Sequence, residues 1–148
     1  MIRLLIITVM LSLFNFTSQR PEGKPMSYEY VMNGTTAFPL ENYKLHYDDT
    51  GALFIDLVTS DGLEKRITAP AELPGQIDAI VRKYRLWKLK REYMPPFTVY
   101  DGYNWHLYIK YKKNSISSGG YNSWPPEKQK NGIKAINELL QSVVEPYL

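Results

Sequence analysis

The chain has 148 residues, which sets one domain of ordinary size as the expectation. Its 18 Lys and Arg against 15 Asp and Glu leave a net charge of +3, too slight to point to nucleic acid, which asks for a dense positive face. Cysteine is absent, which excludes disulfides, thiolate metal sites and cysteine nucleophiles, and 44% hydrophobic with 14% aromatic residues marks a chain that folds.

In chain order, Met1-Ile2-Arg3 precedes an apolar run from Leu4 to Phe16 and a polar exit, Thr17-Ser18-Gln19. One basic residue, a short apolar stretch and a polar exit form the pattern of a secretory signal, assigned to residues 1–18. The run is shorter than the roughly 20 residues that a membrane span needs. Phe16 stands three residues before an exit after Ser18, where a small residue is expected, so an uncleaved anchor stays open and membrane contact is expected only in that case. Residues 19–26, with Pro21, Gly23 and Pro25, read as a flexible leader, and 27–148 as a single α+β domain. An exported chain without cysteine suits a bacterial envelope, so the expected location is periplasmic or extracellular. Asn33-Gly34-Thr35 matches a glycosylation acceptor, a pattern common by chance.

Alternation of apolar and polar residues predicts strands around Tyr28–Asn33, Tyr43–Asp48, Leu53–Val58 and Leu63–Ile67, with turns at Asn33-Gly34, Asp49-Thr50-Gly51 and Ser60-Asp61-Gly62. Short loops join the second to the fourth, so these form an antiparallel meander. Ile77, Ile80, Val81, Tyr84 and Trp87 then fall at helical spacing and predict a helix over 73–89. Arg91 to Asp101 reads as a loop. Trp105, Leu107, Ile109 and Tyr111 alternate as another strand, 115–119 pairs back as a short one, and Ile133, Ile136, Leu140 and Val143 line a last helix. Strands and helices that do not alternate regularly predict α+β: a mostly antiparallel sheet of about six strands with two helices packed on one face.

The signatures of phosphate loops, dinucleotide folds, zincins and serine elbows are missing from the sequence, so no cofactor, metal or catalytic residue is assigned. Only His46 and His106 are available as histidines, both outward in strand parity, with Lys44 beside the first and Tyr108 and Lys110 following the second. Two solvated histidines on an open face is the plain reading. A His/His/Asp site with Asp48 or Asp56 forms only if the two strands are neighbours. Lys83, Arg85, Lys88, Lys90 and Arg91 make one helix end basic; this suits the helix dipole and is also compatible with an anionic partner or membrane headgroups.

The most distinctive stretch runs from Asp101-Gly102-x-x-Trp105 to Ser118-Gly119-Gly120-Tyr121-Asn122-x-x-Pro125. Tyr121, Asn122 and Trp124 supply two flat faces and one amide, a composition suited to sugar rings, and are the candidate ligand-binding residues; His46, His106, Tyr108 and Lys110 are secondary surface candidates. The alternative for the loop is a lid that folds its aromatics over the helix ends. These motifs resemble an uncharacterised group of small domains in exported proteins and lipoproteins of bacteria. The resemblance covers roughly residues 77–145 and implies export and one α+β domain, with no activity attached; the lipid-bearing cysteine of the lipoprotein members is missing here. The sequence thus favours a non-enzymatic binding module of the envelope with a glycan or an envelope protein as partner. The alternatives are a hydrolase using His106 or His46 with a carboxylate, and an inhibitor or immunity-like protein docking through its sheet face.

Overall fold

The computed structural model describes residues 19–34, 42–58, 62, 64–99 and 102–148; the stretch read as an export signal, 1–18, lies outside them. The fold is α+β. Among the described residues seven strands form one sheet: β1 (Ser27–Asn33), β2 (Asn42–Tyr47), β3 (Leu53–Val58), β4 (Glu64–Thr68), β5 (Glu92–Tyr93), β6 (Asn104–Lys110) and β7 (Ser115–Tyr121). Among the described residues two α-helices, α1 (Leu73–Tyr84) and α2 (Glu127–Val144), accompany it. The order across the sheet is β4-β3-β2-β1-β6-β7-β5, and every neighbouring pair is antiparallel except β5 with β7.

The seventh strand is the one that periodicity misses. Two residues, Glu92 and Tyr93, pair with Gly119 and Gly120 inside the stretch expected to be a loop. A strand that short carries no readable alternation. It is held by its neighbours instead: buried Ser118 donates to the Lys90 carbonyl at 2.6 Å, and the Gly119 amide donates to the Arg91 carbonyl at 3.0 Å. Helix α1 also ends sooner than its periodicity predicts. Arg85 adopts a left-handed conformation, φ 51°, and its amide returns to the Arg82 carbonyl. Leu86, just past this cap, is fully buried, the apolar contact that commonly fixes such an ending. A single 3-10 turn, Leu86–Lys88, then carries Trp87.

Strand parity follows the sequence pattern. Leu45, Ile55, Leu57, Leu107 and Ile109 are buried, while Lys44 and Lys110 are exposed. The inward strand residues share one core with Ile77 and Val81 of α1 and Ile133, Ile136 and Leu140 of α2. Within this core Tyr111 donates to Asp78 at 2.9 Å, and Asp78 also takes a 2.7 Å ion pair from Arg82. Burial and the hydrogen bond to Asp78 push the Tyr111 hydroxyl well above its ordinary pKa. The leader makes defined contacts with this region: Pro21 and Pro25 are buried, and the Pro21 carbonyl accepts from Arg82 at 3.1 Å. No helix among the described residues is long and apolar enough to cross a membrane.

Candidate functional site

At one end of the sheet, where β1 finishes and β6 begins, the inner layer turns aromatic. Trp105 is buried and pairs with Gly120 across the β6–β7 ladder. Its indole nitrogen donates to the Ser123 carbonyl at 2.8 Å. A Cβ on Gly120 would lie 2.2 Å from that same carbonyl oxygen and 2.5 Å from the Trp105 indole nitrogen. The Gly-Gly pair therefore sits inside a strand, and Gly120 is there because Trp105 and the returning chain come too close for any side chain. Asn122 has φ 46°, its Oδ1 accepts from the Tyr103 amide at 3.0 Å, and its backbone N–H donates to the Tyr103 carbonyl at 2.9 Å. Gly102 makes room for it: a Cβ there would lie 1.9 Å from the Asn122 side chain. Asn122 is a clamp between the chain leading into β6 and the chain leaving β7.

These two anchors aim Trp124. Its ring stacks on Trp105 at 5.6 Å and 7°, and lies 5.4 Å from the Tyr103 ring, to whose hydroxyl its nitrogen donates at 2.6 Å. The Lys130 ammonium stands 5.3 Å from its centroid. Trp124 is only half-buried. It lines a cleft of about 410 Å³ between this end of the sheet and α2, together with Tyr30, Tyr43, Lys130, Asn137 and Glu138. Burial pushes the Tyr30 hydroxyl up to about 12, so it stays neutral at physiological pH. Asn137 accepts a 2.6 Å hydrogen bond from buried Tyr28, which orients the amide at the cleft wall. The cleft thus combines a pre-set indole and two phenols with an amide and charges of both signs.

The three residues picked from sequence are not brought together. Trp124 belongs to the cleft. Tyr121 lies one residue past inward-facing Gly120, donates to the Val99 carbonyl at 3.1 Å, and lines a separate hollow with His106, Arg91 and Glu92. Asn122 spends its Oδ1 on the Tyr103 backbone, and its buried Nδ2 has no hydrogen-bond partner among the described residues. Tyr30, Tyr43 and Asn137 were missed because their positions read as core strand or helix face, and parity gives no sign of where a core opens.

The histidines do not meet. β1 separates their strands; its Tyr28 pairs with Leu45 on one side and its Val31 with His106 on the other. Two strand spacings and about four residues of offset put the imidazoles roughly 16 Å apart. The condition set for a His/His/Asp site, neighbouring strands, is therefore not met, although one half of it forms. His46 Nε2 lies 2.7 Å from Asp56, which also takes two hydrogen bonds from Arg66, at 2.7 and 2.9 Å. The Arg66 hydrogen bonds, and then the His46 one, outweigh burial and lower the Asp56 carboxyl to about 2. Asp48 does not join them. It accepts from Thr50 and Ala52 and closes the β2–β3 turn. His106, Tyr108 and Lys110 form an outward row along β6, facing Gly119, Ser117 and Ser115 of β7. Among the described residues no group of acids and histidines could hold a metal ion. A scan of protein-family models finds none that matches the chain, and a search of curated proteins finds no significant match.

Proposed function

We propose that this chain is a non-enzymatic binding module of the bacterial envelope and that its ligand is a glycan held in the cleft beside Trp124. The reading joins the export pattern of residues 1–18 to the resemblance carried by the Asp101-to-Pro125 motifs. Both helices lie against the same sheet face in this reading, and the cleft is where the cover by α2 stops short. The observation that carries it is the partly exposed Trp124 ring, fixed by Trp105, Tyr103 and Lys130 before any ligand arrives. A rigid aromatic face costs little ordering on binding. The adjoining Asn137, Lys130 and Glu138 are suited to hydroxyl groups at the ring edge. A glycan ring has this combination of an apolar face and a hydroxylated rim.

The test is binding of bacterial envelope glycans by NMR titration, with Trp124→Ala and Gln141→Ala compared with Tyr121→Ala. Gln141 lines the cleft and is exposed, so its truncation reads binding without disturbing the fold. Loss at Trp124 and weakening at Gln141, with Tyr121→Ala unchanged, is the expected result. A wild-type protein that binds no envelope glycan, or loses binding only with Tyr121→Ala, would overturn it. The hydrolase alternative has one supporting contact, His46 with Asp56, but Asp56 is already engaged by Arg66 and the pair stands on strand surface outside the cleft.

A further inference from the structure

At the end of the sheet opposite the cleft, the β6–β7 side receives the N-terminal chain, and this side is basic. The Gln19 carbonyl lies 3.5 Å from the Asn114 amide in the β6–β7 hairpin, and the Arg20 guanidinium lies 5.6 Å from the Trp87 ring. Residues 19–21 are thus seated between the hairpin tip and the 3-10 turn after α1. Exposed Arg20, Lys88, Lys112 and Lys113 surround that seat. Between residues 79 and 91 stand six Lys or Arg and no acid, and between 102 and 126 three Lys and no acid. Asp78 and Glu92 border the first stretch and Asp101 and Glu127 the second, and Asp78 is held by Arg82 and Tyr111. The basic residues thus gather on the β6–β7 side of this end, while Asp48 and exposed Asp49 lie at the same end in the β2–β3 turn, about three strand spacings away.

We propose that this basic end rests on an anionic phospholipid surface, with Arg20, Lys88, Lys112 and Lys113 against the headgroups and Trp87 beside them. The occupant follows from the chain that leads into the seat. The apolar run Leu4–Phe16 ends four residues before Arg20, so at most about 14 Å separates Phe16 from the basic cluster. An apolar segment too short to span, joined to a basic patch, supplies the two signals that stable membrane attachment takes. Each basic residue near such a surface strengthens binding about fivefold. The inference rests on residues 1–18 staying attached and is separate from the glycan reading, since the hairpin tip with Lys112 and Lys113 lies roughly 20 Å along β6 from the Trp105 end that carries the cleft.

The experiment is sedimentation of the full chain with vesicles of phosphatidylcholine alone or mixed with phosphatidylglycerol. Lys112→Glu with Lys113→Glu is compared with Lys44→Glu plus Lys128→Glu, which changes net charge equally at exposed positions elsewhere. Thermal unfolding of each variant checks the fold. Binding to the anionic vesicles that falls at least tenfold for the hairpin variant only, and that weakens with salt, is expected. Equal losses in both variants, no preference for the anionic vesicles, or no binding by the wild type would overturn the proposal. Glycan binding measured on the same variants stays unchanged if the membrane contact and the cleft are separate sites.

Discussion

The two halves of the sheet are built on different rules. On one side of β1, strands β2 to β4 present mostly aliphatic residues inward, Leu45, Ile55, Leu57 and Ile67, with Tyr43 of β2 the aromatic exception at the cleft. Their outward residues form an exposed ion network, His46 and Arg66 on Asp56. On the other side, β6 and β7 present Trp105, Ser118 and Gly120 to the interior as well as Leu107, Ile109 and Ile116. Here the packing is a chain of individual fits, Gly120 to Trp105, Trp105 to Trp124, and Ser118 to the Lys90 carbonyl. An aliphatic face tolerates exchange among similar shapes. A face of specific fits does not, and it can also hold an aromatic ring half out of the core for use.

The largest effects should be shared by both halves. Ile55→Ala and Ile109→Ala each create a cavity at a fully buried site and should cost on the order of 2–5 kcal/mol in denaturant unfolding. The contrast sharpens at Gly120→Ala. One added methyl has no room between the Ser123 carbonyl and Trp105, so a loss of about 3 kcal/mol is expected, with altered Trp fluorescence. A neutral Gly120→Ala would break the comparison. Smaller is the aliphatic half's ion network, where Asp56→Asn should cost about 1 kcal/mol after solvent screening. The folded Asp56 carboxyl is lowered to about 2 from an ordinary 3.8. Its contribution is therefore full above about pH 4 and disappears as pH falls towards 2, and the gap between wild type and Asp56→Asn should close over that window. Smallest of all, Lys110→Ala should move stability by no more than about 0.5 kcal/mol, since the side chain points outward.

Legibility followed the same division. Period-two patterning located β1, β2, β3, β4 and β6 and the inward residues Leu107 and Ile109, because alternation reports which face is buried. Ile136 and Leu140 were likewise legible as the apolar stripe of α2. Hidden were features set by single contacts. The left-handed Arg85 that stops α1 carries no glycine to announce it. Strand β5 exists because Ser118 and Gly119 take hold of the chain after the helix. Trp124 could be singled out by composition, but its separation from Tyr121 depends on which side of the sheet each leaves, and its partnership with Tyr30 and Asn137 depends on strand order. The outward Asp56 was legible as a partner for His46, whereas the choice of Asp56 over Asp48 needed the register of β2 on β3.

The central position of β1 has a consequence in time. Strands β2, β3 and β4 pair through short connections and can form early and locally. β1 joins β6, and Tyr28 meets Ile109, so the middle of the sheet closes only once the chain has reached that far. Pairings over such separations slow folding, because loop-closure entropy is lost before the contacts compensate. Until then the half-sheet has an open edge, and the aromatic end with its cleft does not exist. A newly made chain therefore stays unlocked for most of its synthesis, with that edge exposed to mispairing until β6 arrives.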